Sequence, residues 1–125
     1  MSGNAIVFTI VTSTNVYPYD RQRILTDDDM NNAYTPYINF LNSLPGFQSN
    51  EISYTDADNG DVIVTRRIQF DTAENANAAF PQLYGPTQNI AVVNRNKMLT
   101  EKLNEYNASV ADADKVVLKI SVSIQ

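Results

Sequence analysis

The chain has 125 residues and contains no cysteine, no histidine and no tryptophan. The lack of cysteine removes disulfides, thiolate nucleophiles and zinc–thiolate sites together. The lack of histidine removes the usual general base near neutral pH and the commonest metal ligand. Basic residues are few: 9 Lys and Arg stand against 14 Asp and Glu, a net charge of −5, which argues against a nucleic-acid partner. No apolar run approaches the length needed to span a bilayer, so no membrane partner is expected. No basic-then-apolar segment opens the chain, so secretion is not expected.

Hydrophobic residues make up 43% of the sequence, enough for a real core, and residues 1–125 read as one domain. Asparagine occurs 15 times, often on predicted helices where it is a mediocre former. That pattern reads as compositional bias and not as a site.

The stretch FQSNEISYTDADNGDVIVTRRIQF, residues 47–70, is the strongest signal in the chain. Asn59-Gly60 between alternating runs marks a β-hairpin. A two-residue turn would set apolar residues of one strand beside polar ones of the other. A three-residue turn Asp58-Asn59-Gly60, with Gly60 left-handed, pairs Tyr54 with Val64, Asp56 with Val62, Ser53 with Thr65 and Glu51 with Arg67. This register gives one apolar and one polar face, and it is the one predicted. Arg66 then falls on the apolar face opposite Ile52. A buried unpaired guanidinium is costly, so Arg66 is expected to snorkel to an edge or pair with a helix carboxylate, failing which it meets a partner or an anion. Asp56, Asp58 and Asp61 invite a calcium reading, but Gly, acid and Glu positions do not match the EF-hand spacing. Turn chemistry explains them instead.

Taken in order, Ala5–Ser13 is a strand with apolar residues on both faces, as a central strand would have. Residues 14–25 form a long connection holding Tyr17, Tyr19, Arg21 and Arg23 around Pro18, a candidate contact patch for a protein partner. Thr26 and Asp29 suggest a helix start, and Met30, Ala33, Tyr34, Tyr37, Ile38 and Leu41 follow at helical spacing. Pro36 predicts a kink or a restart with Thr35 as cap, and Leu44-Pro45-Gly46 ends the helix. After Phe70, Asp71 and Glu74 start a helix with Ala73, Ala76, Ala79 and Phe80 inward. Pro81, Gly85 and Pro86 are expected to break it. Thr87 is expected to cap a further piece running to about Tyr106, with Ile90, Val93, Leu99, Leu103 and Tyr106 inward. Val116–Ile124 alternates cleanly and reads as the last strand. Asn107-Ala108-Ser109 fits a glycosylation sequon, which carries no weight without a secretory signal.

The resulting order predicts an α+β fold, a ferredoxin-like βαββαβ arrangement with a four-stranded antiparallel sheet, helices on one face and the second helix in two pieces. The face away from the helices would carry Val7, Thr9, Val11, Ser53, Ile63, Thr65, Arg67, Val117, Lys119 and Ser121. Half-apolar faces of this kind suit burial in a homo-oligomer or a larger protein assembly.

The βαββαβ order, with FDTAENANAAF directly after the third strand, resembles the dimeric α+β-barrel superfamily. Its members pair sheet faces around a small-molecule pocket and include cofactor-free oxygenases and haem-degrading enzymes. The opening AIVFTIVTSTNVYPYD, with YINFLNSLPGF and the SYTDADNGD hairpin, is similar to small proteins of tailed marine bacteriophages. That second likeness implies a virion or assembly component, located in the virion or the host cytoplasm. The leading expectation is therefore a non-enzymatic interaction protein with no cofactor and no metal. It would act through Tyr17, Tyr19, Arg21, Arg23, Val7, Val11, Ile63, Arg66, Arg67 and Val117. The alternative is a barrel dimer in which Arg66 or Arg67 grips a small anionic ligand, as a binding protein or a cofactor-free enzyme.

Overall fold

A computed structural model describes residues 3–12, 28, 30–112 and 115–125. The chain forms β1 (Ala5–Thr12), a π-helical segment (Met30–Tyr34) leading into α1 (Thr35–Ser43), β2 (Phe47–Asp56), β3 (Val62–Phe70), α2 (Ala73–Leu83), α3 (Ile90–Ala108) and β4 (Leu118–Ile124). The strands make one open antiparallel sheet in the order β2-β3-β1-β4, and the fold is α+β.

The hairpin takes the predicted register, with Tyr54 opposite Val64, Ser53 opposite Thr65 and Glu51 opposite Arg67. Ala57 N–H donates to Asp61 O (2.8 Å) and Gly60 N–H to Ala57 O (3.0 Å), closing a three-residue turn. Gly60 has φ +91°, a conformation that glycine adopts without steric penalty. Because side chains alternate across a strand, this register decides which face each β3 residue meets. Val62, Val64, Arg66, Ile68 and Phe70 turn toward the helices and are buried.

Helix buried faces pack on that side of the sheet. Tyr37 and Leu41 of α1, Ala76, Ala79 and Leu83 of α2, and Val92 of α3 join Ile6, Ile68 and Phe70 in one cluster. Each large apolar side chain buried there contributes about 1.5–3 kcal/mol. The cluster occupies one end of the sheet, at the rows of Ile68 and Phe70.

Four local expectations change. Pro36 does not restart the helix with Thr35 as cap. Proline cannot donate into the preceding turn and crowds the carbonyl four residues back. The chain takes wider π spacing before Tyr34, then continues as α-helix with no side-chain cap. Pro81 does not end α2, which runs on to Leu83. Pro81 forfeits the bond to the Asn77 carbonyl, yet the last turn still closes through Tyr84 N–H to Phe80 O (2.9 Å), and Thr87 Oγ1 donates to the Pro81 carbonyl (3.1 Å). Thr87 is therefore not the cap of α3. Asn89 is, its side chain accepting from Ala91 N (2.9 Å). Finally, Ile90 is 68% exposed and Val93 also faces out, while Val92 and Met98 are buried. The two apolar neighbours Val92 and Val93 made the helix face ambiguous by one residue.

Thr72, with its hydroxyl accepting from Asn75 N (3.1 Å), caps α2. Leu44-Pro45-Gly46 ends α1 as expected. Gly46 has φ +75°, and a Cβ there would collide with Asp71 Oδ1 and Asn75 Nδ2. At the other end of the molecule, Asn107 of α3 clamps the approach to β4. Its Nδ2 donates to Val116 O (3.0 Å) and its Oδ1 accepts from Val116 N (2.8 Å). No helix among the described residues is long and apolar enough to cross a membrane.

Asn107→Ala leaves both backbone groups of the buried Val116 without these partners. We expect a loss of about 1–3 kcal/mol, read as a lower urea midpoint at unchanged m-value; an unaltered midpoint would show that the clamp is dispensable.

Candidate functional site

The well-packed cluster covers only part of the sheet. Over the remaining rows, nearer the hairpin turn, the helices leave a cavity of about 360 Å³. Its floor is the helix-facing side of the sheet: Ile52 and Tyr54 from β2, Val64 and Arg66 from β3, Phe8 and Ile10 from β1, Leu118 and Ile120 from β4. Its roof is α3, which contributes Arg95, Asn96, Leu99, Thr100 and Leu103. Tyr34 and the α2–α3 connection, with Tyr84 and Gln88, supply the sides. The volume lies in the range of small-molecule sites, about 300–1,000 Å³.

Arg66 defines the chemistry. It is 7% exposed, so it does not snorkel. Its Nη1 donates to Asn50 Oδ1 (3.0 Å) and its Nη2 to the Tyr34 hydroxyl (2.9 Å). Its guanidinium carbon also lies 5.7 Å from the centroid of the Tyr37 ring. Both hydrogen-bond acceptors are neutral, and none of the described contacts of Arg66 is with a carboxylate. The expected helix acid is absent from its described surroundings because the π segment, α1 and α3 present Tyr34, Tyr37, Arg95 and Asn96 toward this region. Arg95 stacks on the same Tyr37 ring at 4.1 Å, a close cation–π contact. Tyr34 and Tyr37 in turn meet edge to face, with centroids 6.0 Å apart.

Local sequence explains how these groups converge. Asn50 lies opposite Ile68 on β2, one alternation from Ile52, so the register that buries Arg66 also aims Asn50 at the helix side. Tyr34 is the last residue of the π segment and Tyr37 lies one turn on in α1. Single π turns within helices often occur at functional sites. Among the described lining residues there are two arginines and no Asp or Glu. The local charge is thus opposite in sign to the net charge of −5.

The residues expected at an interface divide differently. Val7 is 5% exposed and Arg66 is buried in the cavity, so neither offers surface to a protein partner. Val11 and Ile63 are half-buried and paired with each other on the outer face. Arg67 is exposed there, with Nε donating to Gln69 Oε1 (3.1 Å), and Val117 is exposed. Tyr17, Tyr19, Arg21 and Arg23 lie outside the described residues, as do Thr26 and Asp29 of the expected helix start. At the hairpin turn, Asp61 N–H donates to Asn59 Oδ1 (3.0 Å) and Asn59 Nδ2 to Asp61 Oδ2 (3.1 Å). Those polar side chains serve the turn itself. No cluster of three or more acidic, His or Cys side chains placed to hold a metal occurs among the described residues.

Arg95, Asn50 and Tyr34 were not singled out as site residues from the sequence. The available signal was Arg66 on an apolar face, which demanded polar company from the same side of the neighbouring elements. A scan against protein-family models gives no match to this chain, and neither does a search of curated proteins.

Tyr34→Phe removes a hydrogen bond to a buried cation without changing the ring. The expected loss is about 1.5–3 kcal/mol in chemical denaturation. A change below a few tenths of a kcal/mol would mean that Tyr34 does not support Arg66.

Proposed function

We propose that this protein is a non-enzymatic binding protein that takes a small organic anion into the cavity between α3 and the sheet. Arg66 is the principal contact and Arg95 the second. The observation that carries this reading is the burial of the Arg66 guanidinium among neutral partners. A buried cation is retained at a cost of several kcal/mol unless an opposite charge joins it, and a planar guanidinium matches carboxylate and phosphate geometry. The absence of carboxylates from the described lining supports binding over acid–base catalysis, since no described carboxylate stands beside the anion position as a base. The strand order β2-β3-β1-β4, with helix–strand–strand–helix between the first and last strands of the chain, supports assignment to the ferredoxin-like class.

A second reading, a virion or assembly component of a tailed phage acting through self-association or a protein partner, has one specific observation in its favour. Val117 is exposed, and the Val11–Ile63 pair on the sheet face turned from the helices is only half-buried. Stable oligomers in sedimentation, dissociated by Val11→Lys, would support it; a monomer at all concentrations would remove it.

The anion reading is tested by thermal shift with panels of carboxylates, sulfonates and phosphates and their neutral amide or alcohol analogues. An anion at a hundred times its Kd stabilises by about 2.7 kcal/mol, which is roughly 10 °C for a domain of this size. We expect such a shift in the wild type and none in Arg66→Gln. If no anion in the panel raises the Tm, or if Arg66→Gln responds equally, the proposal fails.

A further inference from the structure

The cavity is polarised from one end to the other. Its cationic end abuts the packed core, where Arg66 sits one sheet row from Ile68 and Arg95 stacks on Tyr37. Its other end, over the rows of Val64 and Thr12, is lined by Ile10, Val64, Leu99, Leu103 and Leu118. The apolar character continues outward: Ile120 and Tyr54, in the row of Val64, line the cavity yet are 54% and 38% exposed. A hydrophilic anion such as free phosphate would use the arginines and leave this apolar surface idle.

Building on the anion-binding reading, we infer that the occupant is an amphipathic organic anion, a carboxylate-class head on an apolar chain, bound head-first. The head lies against the three Arg66 N–H groups not committed to Asn50 and Tyr34. The chain runs outward between α3 and the sheet toward Ile120. At about 30 Å³ per water-sized group, 360 Å³ holds roughly a dozen heavy atoms, the size of a medium-chain fatty acid. Leu99 and Leu103 of α3 select for the chain, and Arg66 for the head.

The test is calorimetric titration of the full chain with sodium salts of the straight-chain carboxylates from acetate to dodecanoate. Decanol and decyltrimethylammonium serve as head-group controls. We expect affinity to rise roughly fourfold per methylene, the value for full burial, and to level off once the cavity is filled. Decanol should bind at least tenfold more weakly than decanoate, and the cation not at all. Arg66→Gln should bring decanoate down to the level of decanol. Leu99→Trp, which fills the apolar end and keeps Arg66, should abolish the dependence on chain length. Should Arg66→Gln fail to fold, the wild-type series and Leu99→Trp decide the matter.

Acetate or phosphate binding as tightly as decanoate would overturn this inference and leave the anion reading standing. Equal binding of decanol and decanoate to the wild type would overturn both, as would no binding of any anion. Binding of the chain to anionic phospholipid vesicles with no binding of free decanoate would overturn it in favour of a membrane headgroup as the source of the charge.

Discussion

A guanidinium held out of water with no carboxylate among its described contacts is the constraint around which the molecule is arranged. The hydration that Arg66 loses is replaced by an amide oxygen, a phenol oxygen and the face of an aromatic ring. These partners come from three elements, and each must be in register for the cation to be tolerated. Neutral partners satisfy hydrogen-bonding directions but leave the positive charge uncancelled. The protein therefore retains a local field opposite to its overall charge, inside a space that apolar side chains keep at low dielectric, where electrostatic attraction is strengthened.

The sheet is consequently used in two ways. At the rows of Ile68 and Phe70 it supports a close-packed core containing Tyr37, Leu41 and Val92. At the rows of Val64 and Thr12 the same apolar alternation lines open space. Stability is concentrated at the first end, and regions with few packed neighbours are those that open locally at low free-energy cost. The division suits a binding protein, because the site can adapt without disturbing the core that positions Arg66.

Much of the fold could be read from the chain itself. The hairpin register followed from Asn59-Gly60 and from the requirement that apolar residues share a face. β1 and β4 followed from alternation, and the inward residues of α1 and α2 from helical spacing. What could not be read was set by contacts distant in sequence. The Arg66 acceptors lie 16 and 32 residues away, at Asn50 and Tyr34, and nothing local links them. The face of α3 was displaced because Val92 and Val93 are equally apolar, so only the packing of Val92 against the core distinguishes them. Arg95 lies one turn before Leu99, on the side of α3 expected to face inward, but as a charged residue it did not stand out among the apolar positions of that face. The prolines were read in part: Pro36 stands in the first turn of α1, where its missing N–H costs nothing, and marks the change from π to α spacing, whereas Pro81 sits inside α2, which continues past it to Leu83.

Arg66 and Arg67 are adjacent on one strand and point to opposite sides of it. The cavity receives the first and solvent the second because β3 pairs with β1 and turns Val62, Val64, Ile68 and Phe70 inward on the same face as Arg66. The three-residue turn sets what β2 brings to that face. Lengthening or shortening the tip by one residue would offset β2 against β3 and carry Asn50 out of line with Arg66, so a surface loop governs whether an internal cation keeps its amide acceptor.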